Sequence, residues 1–144
     1  MRNEMMHRPV VKEELVQYLR TAQKALPGEL GAIEKEANEQ EIPIIPHETV
    51  MFLQFLLGQI KPKQILEIGA AIGFSSSLMA QFVGDDGHVT TIDRFDVMIR
   101  KAKKTYERLG LEDKVTLLEG QAADILPTLT GPYDLIFMDS AKSK

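Results

Sequence analysis

Apolar and polar positions repeat with two different periods along this chain, and the change falls near residue 61. Before it the period is helical. Val11, Leu15, Tyr18, Leu19, Ala22 and Leu26 recur at steps of three and four, which aligns them on one helix face. Pro27-Gly28 interrupts, and Leu30, Ile33 and Ala37 predict a second, more polar helix. Ile42-Pro43-Ile44-Ile45-Pro46 cannot be helical throughout, because each proline pushes its predecessor toward extended geometry. A third helix is expected from about His47 to Gln59, ahead of Lys61-Pro62.

After Pro62, short apolar runs alternate with helical stretches. Strands are expected at residues 64–68, 89–92, 115–118 and 133–138. Helices are expected at about 74–83, at 96–109 closed by Gly110, and in a short piece near 123–129. Strand and helix alternating at this spacing imply a parallel sheet with helical crossovers. The continuous apolar strands fit a sheet covered on both faces. The expected fold is therefore a Rossmann-like, doubly wound α/β domain over residues 61–144, with its first four strands present. A helical segment, residues 1–60, precedes it. The fourth strand would lie beside the first at the topological switch point. Its apolar Leu135-Ile136-Phe137-Met138 run would then form an uncovered edge, a hazard that proteins avoid. The expectation is a chain that continues in its parent protein; completion by a partner chain is the alternative.

Composition narrows the class. At 144 residues with 44% hydrophobic and 26% charged positions, a single folded domain is expected and a disordered or collagen-like chain is excluded. The lack of cysteine excludes disulfides and thiolate metal sites and fits a reducing compartment. A net charge of −4 argues against a generally basic nucleic-acid coat, although Arg100, Lys101, Lys103 and Lys104 cluster on one predicted helix. The N-terminus has no apolar core of signal-peptide type. The most apolar run, Thr49 to Ile60, is too short to span a bilayer and carries Gln54 and Gln59. A soluble cytoplasmic protein with no membrane contact is expected.

The densest chemical signal is Ile65-Leu66-Glu67-Ile68-Gly69-Ala70-Ala71-Ile72-Gly73-Phe74-Ser75. A strand ends beside a carboxylate, and two glycines four apart open a helix. Such a turn brings backbone close to a ligand, or merely joins a strand to a helix. A phosphate-binding loop would need lysine where Phe74 stands. A dinucleotide fingerprint would need glycine where Ala71 stands. A ligand with adenosine but no phosphate tolerates the larger Ala71, and its amino-acid carboxylate would sit at the helix start by Ser75. S-adenosylmethionine is such a ligand.

Asp93 ends the second strand 20 residues after Gly73, the place of a carboxylate that accepts from both ribose hydroxyls. Capping of the next helix is its plainer role. Gln121 follows the third strand, where it can reach an adenine edge or simply solvate the turn. Asp139 ends the fourth strand; a carboxylate there suits Mg²⁺, or else caps a helix. Lys142, three residues on, is near enough to act on a metal-bound hydroxyl, with a solvated tail as the alternative. His7, His47 and His88 lack metal-ligand spacing and read as structural.

Residues 40–144 resemble the first part of the bacterial catechol O-methyltransferase-like family, class I S-adenosylmethionine-dependent enzymes. LEIGAAIGFS, TTIDR, LLEGQAADILPTL and YDLIFMDSAKSK carry the resemblance, and they are most similar to Gram-positive tRNA 5-hydroxyuridine methyltransferases. The resemblance implies that Glu67, Gly69, Gly73 and Ser75 surround the methionine part of the cofactor. It implies ribose at Asp93, adenine at Gln121 and Ala122, and backbone cover from Ile45. Asp139 would border the cofactor and ligate the divalent metal, Mg²⁺ or similar, and Lys142 would assist deprotonation. The implied reaction is methylation of 5-hydroxyuridine in tRNA to 5-methoxyuridine. A catechol-like small molecule is the alternative substrate, and a non-catalytic cofactor-binding fragment the rival class. Homodimers are common in the family. Two departures stand out: Gln121 replaces the usual Asp, and the Asp-Asn pair that completes the family's metal site is absent from these residues.

Overall fold

The computed structural model describes residues 12–140. Helices α1 (Glu13–Thr21), α2 (Gly28–Glu39) and α3 (His47–Ile60) come first. There follow β1 (Gln64–Ile68), α4 (Phe74–Ala80), β2 (His88–Asp93), α5 (Asp96–Leu109) and β3 (Val115–Glu119). The chain then forms α6 (Ala122–Ile125), a short 3₁₀ turn (Leu126–Thr128) and β4 (Leu135–Met138). The four strands make one parallel sheet in the order β3-β2-β1-β4. The switch point between β1 and β4 lies where the sequence puts it, and the fold is the expected Rossmann-like α/β type.

Register explains which residues face which layer. Ile65, Val89, Val115 and Leu135 point toward the helices, where they meet Leu57, Leu78, Ala102 and Tyr106 in one core. Leu30, Ile33 and Ala37 of α2 and Val50, Leu53 and Leu57 of α3 join that same core. Helix α2 thus buries the stripe its spacing foretold. Burial of side chains of this size contributes about 1.5–3 kcal/mol each before entropy is counted.

The opposite face is unevenly covered. Leu66 and Ile92 are buried, yet Ile136 and Met138 of β4 are exposed, so the expected cover on both faces does not extend to β4 among the described residues. Asp134 ties that edge strand to β1: its carboxylate accepts from the backbone N–H of Lys63 at 2.8 Å and of Gln64 at 2.9 Å.

Helix α1 departs from the sequence reading. The stripe from Leu15 to Leu26 does not form one helix, because α1 stops at Thr21 and buries none of its residues. Pro27 biases Leu26 itself toward extended geometry, and Leu26 is buried in the core apart from α1. Val11 and His7 lie outside the described residues. Predicted helix 74–83 is likewise shorter, ending at Ala80 in a turn through Phe82. No helix among the described residues is long and apolar enough to cross a membrane.

Two polar joints connect the helices of this layer. Arg108 of α5 makes a two-pronged contact with Glu36 of α2, at 2.8 and 2.9 Å, and also meets Glu29. His47, at the start of α3, meets Glu34 at 2.7 Å through Nδ1 and the Lys24 carbonyl at 3.1 Å through Nε2. His88 contacts Thr116 at 2.7 Å across neighbouring strands. Both histidines serve the fold, as their spacing suggested.

Candidate functional site

At the C-terminal ends of the strands lies a cavity of about 780 Å³, within the range of roughly 300–1,000 Å³ usual for small-molecule sites. Its floor is the β1–α4 turn, including Gly69, Ala71 and Ser75. Asp93, Arg94 and Phe95 form one wall, and Gly120, Gln121 and Ala122 extend it. The extended Pro43–Pro46 segment, including Ile45, closes the other side, and Asp139 and Ser140 complete the rim. Sequence-predicted Ile45, Gly69, Ser75, Asp93, Gln121, Ala122 and Asp139 therefore share one cavity. Gly73 and Glu67 sit just behind it, and Lys142 lies outside the described residues.

The turn's shape follows from two close approaches. Gly69 has φ of 104°, and a Cβ there would collide with the Asp139 carbonyl. Gly73 has φ of 79°, and a Cβ would come within 2.7 Å of the Tyr106 ring. Both positions require glycine for space as well as for backbone angle. Between them Ala71 takes φ of 46°, a left-handed conformation that strains a residue bearing a Cβ. Its N–H donates to Asp93 Oδ2 at 2.9 Å, which holds it there.

Asp93 does more than face the cavity. Its Oδ1 also accepts from the Phe95 N–H, at 2.9 Å. One carboxylate thus clasps the glycine turn to the end of β2. Each oxygen keeps a second acceptor site, so the clasp still leaves capacity for hydroxyl donors from a ligand.

Glu67 is fully buried on β1 beneath the turn. It accepts from the Ser75 hydroxyl on α4 and from the Thr91 hydroxyl on β2, the latter at 2.5 Å. Burial pushes its carboxyl up to about 7, against the opposing pull of the Ser75, Thr91 and Ser76 hydroxyls; the Asp139 charge adds a smaller push upward. The group therefore titrates near neutrality. Ser75 contributes its proton to this buried network rather than leaving it free for a ligand.

Sequence reasoning missed Thr91, Tyr106 and Arg94. Thr91 pairs in register with Glu67, so a polar residue inside an apolar strand was the available signal. Tyr106 lies on α5, where it passes for ordinary core; its hydroxyl meets Ser76 at 2.7 Å behind Gly73. Arg94 stacks over Phe95, 4.7 Å from the ring centroid, and donates to Gln121 at 3.1 Å.

Among the described residues no group of three His, Cys, Asp or Glu side chains converges to hold an ion. Asp139 alone supplies too few oxygen ligands for Mg²⁺.

Residues 22–144 match the family model described as O-methyltransferase. The chain belongs to the class I S-adenosylmethionine-dependent O-methyltransferase family. It is 39% identical over 92 residues to the catechol O-methyltransferase of Mycobacterium tuberculosis, covering 63% of this chain and 42% of that protein. It is 35% identical over 111 residues to the catechol O-methyltransferase of Niastella koreensis, covering 74% and 50%. Among solved structures it is similar to the Podospora anserina methyltransferase PaMTH1 bound to S-adenosylhomocysteine. That match has a TM-score of 0.78 and 26% identity, over 97% of this chain and 59% of the other. The chain thus spans about half the length of the curated relatives it matches.

Proposed function

We propose that this chain binds S-adenosylmethionine and serves methyl transfer to a hydroxyl oxygen. The observation that carries the proposal is the joining of the Gly69–Gly73 turn, Asp93 and the Ile45 segment around one cavity. The relative PaMTH1 holds S-adenosylhomocysteine, the demethylated product of that cofactor. When bound, the cofactor supplies a methyl group on a positively charged sulfur.

The chain's own residues bind, orient and dry the site. Asp93 offers its remaining acceptor sites to ribose hydroxyls. Gln121 and Ala122 border the adenine, and Ile45 covers the cofactor from above. Gly69, Gly73 and Ser75, backed by Glu67, surround the methionine end. Apolar walls from Ile44, Ile45, Ile68 and Ile72 exclude water, and holding both reactants in line removes most of the entropic barrier. Asp139 borders the cofactor at the cavity rim, and Lys142 is assigned to the acceptor hydroxyl, taking or orienting its proton.

The relatives named as catechol O-methyltransferases favour a small phenolic acceptor. A second reading, 5-hydroxyuridine in tRNA, rests on the motif resemblance and on exposed Arg100, Lys101 and Lys104 along α5. Calorimetry with S-adenosylhomocysteine and with NAD tests the cofactor; binding of NAD instead would overturn it. Methyl transfer to catechol, measured beside transfer to tRNA that carries 5-hydroxyuridine, separates the two acceptors.

A further inference from the structure

At the cavity rim the tips of β2 and β3 are tied together twice. The Gly120 N–H donates to the Asp93 carbonyl at 2.8 Å. One residue further along each segment, Arg94 Nη1 donates to Gln121 Oε1 at 3.1 Å. Arg94 is itself held by Phe95, whose ring centroid lies 4.7 Å from the guanidinium carbon. Both Arg94 and Gln121 line the cavity.

A guanidinium has five N–H donors and no acceptor, so only the oxygen end of an amide can face it. That fixes which way the Gln121 amide points. Both side chains are exposed; the oxygen, turned to Arg94, already accepts one bond, and the NH₂ is the end with no other side-chain partner among the described residues. A glutamine with no neighbour would rotate to suit either a donor or an acceptor on a ligand. A carboxylate at the same position would only accept.

Resting on the cofactor reading above, we propose that Arg94 is a positioning residue that fixes Gln121 as a hydrogen-bond donor. The site would then select its purine through a ring nitrogen that accepts, not through the exocyclic amino group that donates. A carboxylate there would only accept, so a Gln121 amide turned by Arg94 gives the contact the opposite polarity.

The test is calorimetry of the full chain with S-adenosylhomocysteine and four analogues. Three are the 1-, 3- and 7-deaza forms, each lacking one ring acceptor, and the fourth lacks the exocyclic amino group. In the wild type, one deaza form should bind about five- to tenfold more weakly, and loss of the amino group should change Kd less than about threefold. Arg94→Met keeps an apolar stem over Phe95 but removes the donors, so the deaza penalty should fall to about threefold or less. Gln121→Glu should abolish that penalty, and circular dichroism would check that both variants fold.

An amino-group penalty without a deaza penalty overturns the assignment. So does a deaza penalty unchanged in Arg94→Met. If the wild type fails to bind S-adenosylhomocysteine at all, the cofactor reading falls with it. Binding of S-adenosylhomocysteine with the wrong selectivity overturns only the role of Arg94.

Discussion

The ring of Tyr106 lies against Gly73 so closely that a single added carbon at Gly73 would sit 2.7 Å from it. The Tyr106 hydroxyl meets Ser76 one turn further on, at 2.7 Å, so one side chain braces both the turn and the helix it opens. Gly73→Ala faces two separate costs, a strained backbone and the collision. Together they should destabilise the fold by about 2–4 kcal/mol. In a double-mutant cycle with Tyr106→Leu the collision should vanish and the backbone strain should persist. Urea unfolding of the four proteins measures this, and strict additivity would refute the contact's role.

Glu67 is the clearest source of pH dependence. Burial raises its carboxyl from 4.5 to about 7, so the folded chain holds the proton more tightly than the unfolded chain does. Its contribution is intact below pH 4.5 and is lost as pH rises toward and through 7. The loss should be on the order of 3 kcal/mol for so deeply buried a group. Glu67→Gln should flatten stability across this window, read as the denaturation midpoint at a series of pH values. A wild-type midpoint that rises from pH 5 to 7 while the variant's stays level would contradict this assignment.

Much of this site was legible because its chemistry follows strand ends. Glu67, Asp93 and Asp139 each close or nearly close an apolar run, and a parallel sheet brings such ends to one edge. Helix α2 was legible from spacing, because Leu30, Ile33 and Ala37 form one apolar face that meets the core, and α3 from its apolar run ahead of Lys61-Pro62. The stripe from Leu15 to Leu26 misled, because periodicity does not reveal where a helix stops, and α1 ends at Thr21. The Asp93 clasp was illegible for a different reason. Its partners are backbone N–H groups of Ala71 and Phe95, which carry no sequence signature. Tyr106 was hidden among core residues, since a hydroxyl that finds Ser76 is a tertiary fact.

Removal of the Asp93 carboxylate should separate binding from folding. Asp93→Ala leaves the Ala71 and Phe95 N–H groups without their partner, which should cost about 1–3 kcal/mol of stability. Affinity for S-adenosylhomocysteine should fall by a further 1.5–3 kcal/mol or so through lost ribose contacts. A cofactor analogue lacking both ribose hydroxyls should bind wild type and variant equally. Discrimination by that analogue as large as that by S-adenosylhomocysteine would show that Asp93 acts only through the turn.

Asp134 governs the edge strand that carries Asp139 to the cavity. Its carboxylate accepts two backbone N–H groups at the start of β1, and these bonds hold its acidity below the usual carboxylate value. A depressed carboxyl contributes stability above its unfolded pKa and loses it as pH falls through the native one. Acid should therefore loosen β4 first, because β4 pairs with β1 alone among the described strands. In hydrogen exchange, Asp134→Ala should strip protection from the backbone bonds between β1 and β4 and leave those between β2 and β3 intact. The Asp139 N–H, which donates to the Ile68 carbonyl at 3.1 Å, should exchange faster in the same variant. Because the Asp139 backbone abuts Gly69, the glycine turn should loosen with it and affinity for S-adenosylhomocysteine should drop. Equal loss of protection across all four strands would mean that β4 does not open separately from the rest of the sheet.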